Sequence, residues 1–457
     1  MLKTKKEMLK LLAVGAVSAL VLTGCATAAD DDTSADSGDT GSSDSGDSAS
    51  QEEVTIELAR FFGDCDDTTE GVTDVSQATS ECEVIQIITN AFNAEDNGYT
   101  VEKLGGQAWG DYYTQLGTTF SGGNPPDVAV MHQHRLPDYV GRGLVTPVSE
   151  KLTANGVDFN DYTAPALGAV TYEGDYYGIP FDIHGSLWHV NVDLYEAAGL
   201  TDADGNPVMP SSADELLEQC QAVQDATGAQ FFAHDWFEFG VGARLFLGLV
   251  WQQGGELSDG TSANPDSPEG AEALSLLNQL ATDCSNPEQG YTDSQASFLA
   301  GEAAVLHNGT WVVDQYNREA GFEYRAMDIP SIYGGFGSWG DSHMWVMPTD
   351  SSRSAAEEEA ALAFMTYLYE RIGDWAVGTG HIAPRESIIA SADYTNAPQR
   401  ENYAGTAEKA RMVPAVPGWA GAWDALSEEL NATWVAGKDQ AQALADAEAR
   451  MNEALNN

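Results

Sequence analysis

Val54-Thr-Ile-Glu-Leu58 alternates apolar and polar side chains with a period of two, the pattern of a strand with one buried face. Beyond it, Val84, Ile87, Ile88, Ala91 and Phe92 recur at helical spacing until Asn97-Gly98, a helix stop. Residues 99–104, Tyr-Thr-Val-Glu-Lys-Leu, read as a second strand, and Tyr112, Leu116 and Phe120 mark a second helix. Pro126-Asp-Val-Ala-Val-Met131 is a third strand. A βαβαβ order implies a parallel sheet with helices on both faces, because each crossover needs room for a helix to pack back on the sheet. Ligands of such sheets bind outside the carboxyl ends of the strands. Phe61 to Asp64 follow the first strand and His132 to Arg135 follow the third, so both loops are candidates for one site.

From about Ser186 a second α/β unit begins. Strands at Ser186–Val190 and Gln230–Phe232 alternate with helices near 212–227, 240–253 and 267–284, and the last third reads as mainly helical, including 355–372 and 439–455. No internal repeat, heptad pattern or second hydrophobic span is present in the sequence. A body of roughly 400 residues is too long for one small core and divides into two lobes or domains.

The amino terminus reads as an export signal. Lys3, Lys5, Lys6 and Lys10 precede an uncharged apolar stretch from Leu11 to Leu22, too short to span a bilayer comfortably. Leu22-Thr23-Gly24-Cys25 resembles the lipobox of bacterial lipoproteins. That resemblance implies a signal peptide at 1–24, a diacylglycerol on Cys25 and an anchor at the extracellular face of the membrane, since two acyl chains hold stably where one does not. An ordinary cleaved signal with a chance cysteine is the alternative. Residues 25–53 continue as an acidic linker of Ala, Asp, Ser, Gly and Thr with little apolar surface to offset its ordering entropy, so it is expected to be disordered.

The formal net charge is −51, and removal of the signal's four Lys and one Glu takes it to −54. Such a balance argues against nucleic acid or anionic lipid as a partner through a basic surface. Besides Cys25, Cys65, Cys82, Cys220 and Cys284 form an even set in an exported chain, with three possible connectivities. The local pairs Cys65–Cys82 and Cys220–Cys284 are favoured. The first would close the polar insertion Asp66–Glu81, and the second would join a helix capped at Ser212 and Glu215 to the end of one begun by Ser267-Pro268. No CxxC or close Cys/His cluster favours zinc instead.

Gly123-Asn-Pro-Pro-Asp-Val-Ala-Val130 with Tyr139-Val-Gly-Arg-Gly-Leu-Val-Thr-Pro147 resembles the first-lobe signature of extracellular solute-binding proteins of the maltose-binding class. Tyr177-Gly-Ile-Pro180, Leu187-Trp-His-Val-Asn191 and the stretch from Leu194 to Leu200 resemble its crossover segment. Phe298-Leu-Ala-Gly-Glu-Ala-Ala304 and Asn308-Gly-Thr-Trp311 resemble a third stretch. The resemblance implies two α/β lobes joined by hinge crossovers, 54–182 with 343–392 and 183–342 with 393–457. It implies a monomer that captures a carbohydrate, without cofactor or metal, and delivers it to the permease subunits of an ABC importer.

Carried over position by position, His132 and His134 fall on the first-lobe sugar loop and Asp182 and His184 on the crossover. Trp311 falls on a stacking turn, and Trp419 and Trp423 on a late helix. Trp236 has no clean match, and Asp64 is placed by topology. Flat aromatic faces cover the C–H patches of sugars while planar polar groups bond their hydroxyls. Each tryptophan could instead fill the core. The pair His132 and His134 lacks a third nearby ligand for a metal. Asp182 with Asp64 could be the acid and nucleophile of an extracellular glycoside hydrolase. The same fold could also bind a peptide or polyol.

Overall fold

The strand Val54–Ala59 lies between Tyr99–Lys103 and Val128–His132 and pairs parallel with both, as the βαβαβ order requires. This computed structural model describes residues 53–105 and 109–456. The expectations for the signal, Cys25 and most of the linker lie outside the described residues. Two strands from distant sequence complete the first sheet. His343–Val346 runs antiparallel beside Val128–His132, and Gly178–Pro180 lies beyond it. The sheet is therefore mixed, and the strand at 343–346 falls within a stretch read as mainly helical. Its register is set by burial: Met344, Trp345 and Val346 enter one core with Ile56, Leu58, Val130 and Trp375.

A second sheet is built on His184–Asn191, every residue of which is buried. Ala303–Gly309, Tyr324–Asp328 and Trp339–Asp341 pair antiparallel with it. Gln230–Ala233 adds parallel to Ala303–Gly309, and Arg411–Met412 parallel to Trp339–Asp341. Its core gathers Trp188, Phe232, Trp236, Phe246 and Trp419. The helix Val241–Gln252 is buried at every residue except Arg244. Trp419–Ala436 and Gln440–Leu455 pack together after a turn at Gly437, whose φ of 69° suits a residue without Cβ.

The chain crosses between the sheets over short spans. Residues 181–183 separate Gly178–Pro180 from His184–Asn191, and Ser342 alone separates Trp339–Asp341 from His343–Val346. A third pass is tied to the first by paired backbone hydrogen bonds between Ile183 and Ile382.

Cys65–Cys82 and Cys220–Cys284 are both disulfides. The insertion that the first closes carries a short helix, Asp66–Thr69, and a 3₁₀ turn, Val75–Gln77, and is held by Asn90, whose side chain donates to the carbonyls of Thr69 and Val72. Two sequence details differ. The Glu215 carboxylate accepts from Ser211 rather than from the Ser212 amide, so the reciprocal capping box is absent. The helix expected over 267–284 is α-helical for Pro268–Gln279 and continues as a π turn, Leu280–Cys284.

Candidate functional site

Two adjoining cavities of about 270 and 230 Å³ lie between the two cores and share Trp109, His132, Phe239, Arg244 and Trp339. Together they fall within the ~300–1,000 Å³ of small-molecule sites. His132 ends the strand Val128–His132, and Phe61 and Phe62 follow Val54–Ala59, so one wall stands at the carboxyl ends of parallel strands. The facing wall comes from the second core. Phe237 to Gly240 precede the buried helix, Arg244 rises from it, and Trp419 and Trp423 occupy the start of Trp419–Ala436.

The first wall is a chain of locked imidazoles. The His132 ring stacks on Phe61 at 5.0 Å and 11°, and its Nδ1 lies 2.7 Å from the Tyr113 hydroxyl. His132 Nε2 lies 3.2 Å from Nε2 of His343, whose Nδ1 is 2.8 Å from Asp182. His184 stacks on His343 at 4.1 Å and places its own Nδ1 2.9 Å from the same carboxylate. His134 pairs with Asp341 at 2.5 Å. Burial disfavours charge on His132 and His184 and lowers both, with the neighbouring His343 charge adding to it. It also opposes charge on Asp182 and His343, but their mutual attraction and hydrogen bonds prevail: Asp182 is held well below the usual carboxylate range and His343 is raised. Glu81, which lines the second cavity, is pushed up to about 8 by burial, against the pull of His343.

Asp182, His184, His343 and His381 place ligand-type atoms within 4.8 Å of one another, a set that could hold a divalent cation. As arranged, Nδ1 of each of these histidines is already hydrogen-bonded, to Asp182 for His184 and His343 and to Thr379 for His381. His381 Nε2 has no hydrogen-bond partner among the described residues.

Of the residues chosen from sequence, His132, His134, Trp419 and Trp423 line the first cavity, and His132, His184 and Trp311 the second. Three do not line either one. Asp182 sits behind the imidazoles at the crossover, where it accepts from the Trp375 indole at 2.8 Å and the His343 amide, while its carbonyl accepts from Ser342 Oγ. Asp64 is salt-bridged to Lys103 on the surface with 61% of its side chain exposed. Phe61 and Phe62 take the inward positions of that loop. Trp236 is wholly buried, donates to Ser285 Oγ, and packs against His234 and Trp434. Its neighbours reach the cavity instead, because the Asp235 carboxylate gathers the amides of Phe237, Glu238 and Phe239 into a tight turn.

The model for bacterial extracellular solute-binding proteins matches residues 88–402. The chain belongs to this family. Among relatives of this solute-binding protein, a "putative binding protein" of Brucella abortus is 23% identical over 80% of this chain and 89% of its own. The maltotriose-binding protein of Pyrococcus abyssi is 22% identical over 70% and 69%. Maltose-bound MalE3 of T. maritima superposes with a TM-score of 0.75 at 18% identity, covering 88% of this chain and 99% of that one. An ABC substrate-binding protein of Listeria monocytogenes, in complex with cycloalternan, gives 0.74 at 19%, covering 88% and 99%. These likenesses establish the two-lobe fold. Among the described residues of the solute-binding protein, no helix is long and apolar enough to cross a membrane.

Sequence reasoning missed Trp109, Phe239, Arg244, Tyr291 and Trp339 in the cleft of this solute-binding protein. Arg244 had a signal: it is the only charged residue in Val-Gly-Ala-Arg-Leu-Phe-Leu-Gly-Leu-Val-Trp-Gln. A charge in an otherwise apolar helix must reach a polar space. Trp339 and Tyr291 had none, since aromatic residues of core and cleft read alike in sequence.

Proposed function

We propose that this solute-binding protein captures a carbohydrate, an oligosaccharide, in the cleft and presents it to ABC permease subunits. The observation that carries this reading is the enclosure of the cavities by tryptophans from both cores, Trp109 on one side and Trp311, Trp339, Trp419 and Trp423 on the other, beside hydrogen-bonding imidazoles. Sugars need that combination of apolar faces and planar polar groups. The relative named for maltotriose supports it. In this reading His132, His134, His184, Trp311, Trp419 and Trp423 touch the ligand. Residues 54–182 with 343–392 form one lobe and 183–342 with 393–457 the other, and the protein acts as a monomer without metal or cofactor, tethered through a lipid on Cys25 at the extracellular face.

The lobes meet over the cleft through the Trp109 ring edge-on to Phe239 at 5.5 Å, the pair His134–Asp341, and the Gln133 side chain donating to the Val413 carbonyl at 2.6 Å. Such contacts would open by hinge motion when solute leaves. Solution scattering should give a larger radius of gyration without ligand than with it, and identical profiles would count against closure. The acid and nucleophile that a glycoside hydrolase would take from Asp182 and Asp64 do not meet at the cleft, since Asp64 is on the surface and Asp182 lies behind imidazoles. Calorimetry with a panel of oligosaccharides, followed by chromatography of the mixtures, separates the readings. Binding heat without cleavage supports capture. Steady release of shorter sugars would sink it, and silence across every saccharide would move the ligand to a peptide or polyol.

A further inference from the structure

The cleft holds a guanidinium that no carboxylate contacts among the described residues, Asp235 and Asp341 acting on it only through space. Arg244 is the one residue of Val241–Gln252 that is not buried, and its guanidinium lies 4.4 Å from the Trp339 ring centroid and 5.4 Å from that of Trp311. It lines both cavities. Among the described residues it forms no ion pair and no side-chain hydrogen bond, and its Nε is buried without a partner. Arg135, over the Tyr113 ring at 4.6 Å, lines the first cavity with its Nε in the same condition. Every other described arginine bonds an oxygen acceptor, whether a carboxylate, carbonyl or hydroxyl, except Arg142, which is exposed on the surface.

This chain has 71 Asp and Glu against 20 Lys and Arg, so counter-ions are in ample supply. The carboxylates that line the first cavity are mostly engaged elsewhere. Asp341 pairs with His134, Glu238 accepts the Tyr291 amide and Glu428 pairs with Arg450. Asp424 is exposed and acts on Arg135 rather than on Arg244. Two tryptophan faces compensate a guanidinium only in part, and five N–H donors in a low-dielectric cleft call for acceptors. Hydroxyls of a neutral sugar would satisfy donors but not charge. A carboxylate or a phosphate ester would satisfy both through the planar fork of the guanidinium.

We propose that the solute is an anionic saccharide whose oxyanion is held by Arg244 between Trp311 and Trp339, with Arg135 at the adjoining end of the cleft. This rests on the carbohydrate reading above and narrows its substrate class. The probes are a neutral gluco-oligosaccharide, a uronic-acid oligosaccharide of equal length and a sugar phosphate, titrated calorimetrically into the intact chain. At least one charged probe should bind about tenfold or more tighter than the neutral one at low salt, a ratio expected of a charge-assisted bidentate pair. The preferred probe distinguishes a carboxylate from a phosphate. Its affinity should weaken as ionic strength rises from about 0.05 to about 0.5 M, while neutral binding stays flat. Arg244→Gln should abolish the preference for charge, and Arg244→Lys should retain part of it. Should Arg244→Gln fail to fold, the salt dependence of the unmodified protein still decides. A neutral saccharide that binds as tightly as the charged ones would overturn this inference and leave the carbohydrate reading standing. No heat from any of the three would overturn both.

Discussion

The two walls of the cleft are made from different chemistry. On the side of the first sheet, His132 and His343 sit on strands, with His184 on the adjoining crossover strand, and each ring is fixed by a hydroxyl, a carboxylate or another imidazole. On the other side, helix starts, a turn and the strand Trp339–Asp341 carry tryptophans, with an arginine that makes no side-chain hydrogen bond among the described residues. Strand-borne groups tied into a network give fixed direction, which suits the reading of hydroxyl positions. Aromatic faces give contact area with little directional demand. The difference teaches where specificity and where affinity should reside.

Tryptophans of the second core offer the sharpest way to break that comparison. Trp236→Ala removes a side chain with no exposure and should cost about 3–5 kcal/mol of stability, seen as a large fall in melting temperature, with ligand affinity intact in the folded fraction. Affinity loss without destabilisation would mean that Trp236 belongs to the site after all.

The disulfides test whether the two halves are braced alike. Cys220–Cys284 closes a separation of 64 residues and Cys65–Cys82 one of 17. In the chain-entropy model their removal costs about 4 and about 3 kcal/mol respectively. Paired Cys→Ala variants in denaturant titration should reproduce that order, and a reversed order would show that the insertion depends on its bridge more than loop length predicts.

A third effect belongs to histidines away from the cleft. Burial lowers His189 and His234 to about 3. Because these folded-state values lie below the ordinary one near 6.5, the stability they contribute is present above pH 6.5 and is lost as pH falls toward 3, where the unfolded chain binds the protons. Between pH 6.5 and 5 this amounts to about 2 kcal/mol for each ring. Melting temperatures across that range should fall, and replacing His189 with Asn should flatten the slope.

The smallest change is expected at the aromatic wall. Trp311→Ala and Trp423→Ala should each weaken ligand binding by about 1–3 kcal/mol with little change in melting temperature. Trp311 is the more demanding case, because it donates to the Tyr291 hydroxyl at 2.8 Å and covers Gly309, where a Cβ would collide with its ring. A large fall in melting temperature for either variant would reassign it to the core.

Much of the fold was legible in local pattern. The parallel trio of strands and the amphipathic helices follow from periodicity and capping residues carried by neighbours in sequence, while the cysteine count left three pairings of which the favoured one formed. The strand His343–Val346 was not, because His-Met-Trp-Val is too short to show a period of its own and becomes a strand only where Val128–His132 offers it hydrogen bonds. In the site, His132 and His134 could be placed because they follow a recognisable strand. Asp64, one loop earlier, could not: two adjacent phenylalanines claimed the interior, and a carboxylate beside Lys103 remained in water.

Sequence by itself determined the parallel trio of strands, most of the long helices, the family and the rule that polar and aromatic residues at strand ends would face a cleft. Only the tertiary structure decided which aromatic residues line it, that Asp182 organises imidazoles from behind, and that Arg244, between Trp311 and Trp339, has no ion-pair partner among the described residues. The physical reason is that burial and charge compensation are properties of residues far apart in the chain, and no local pattern records which distant partner arrives or fails to arrive.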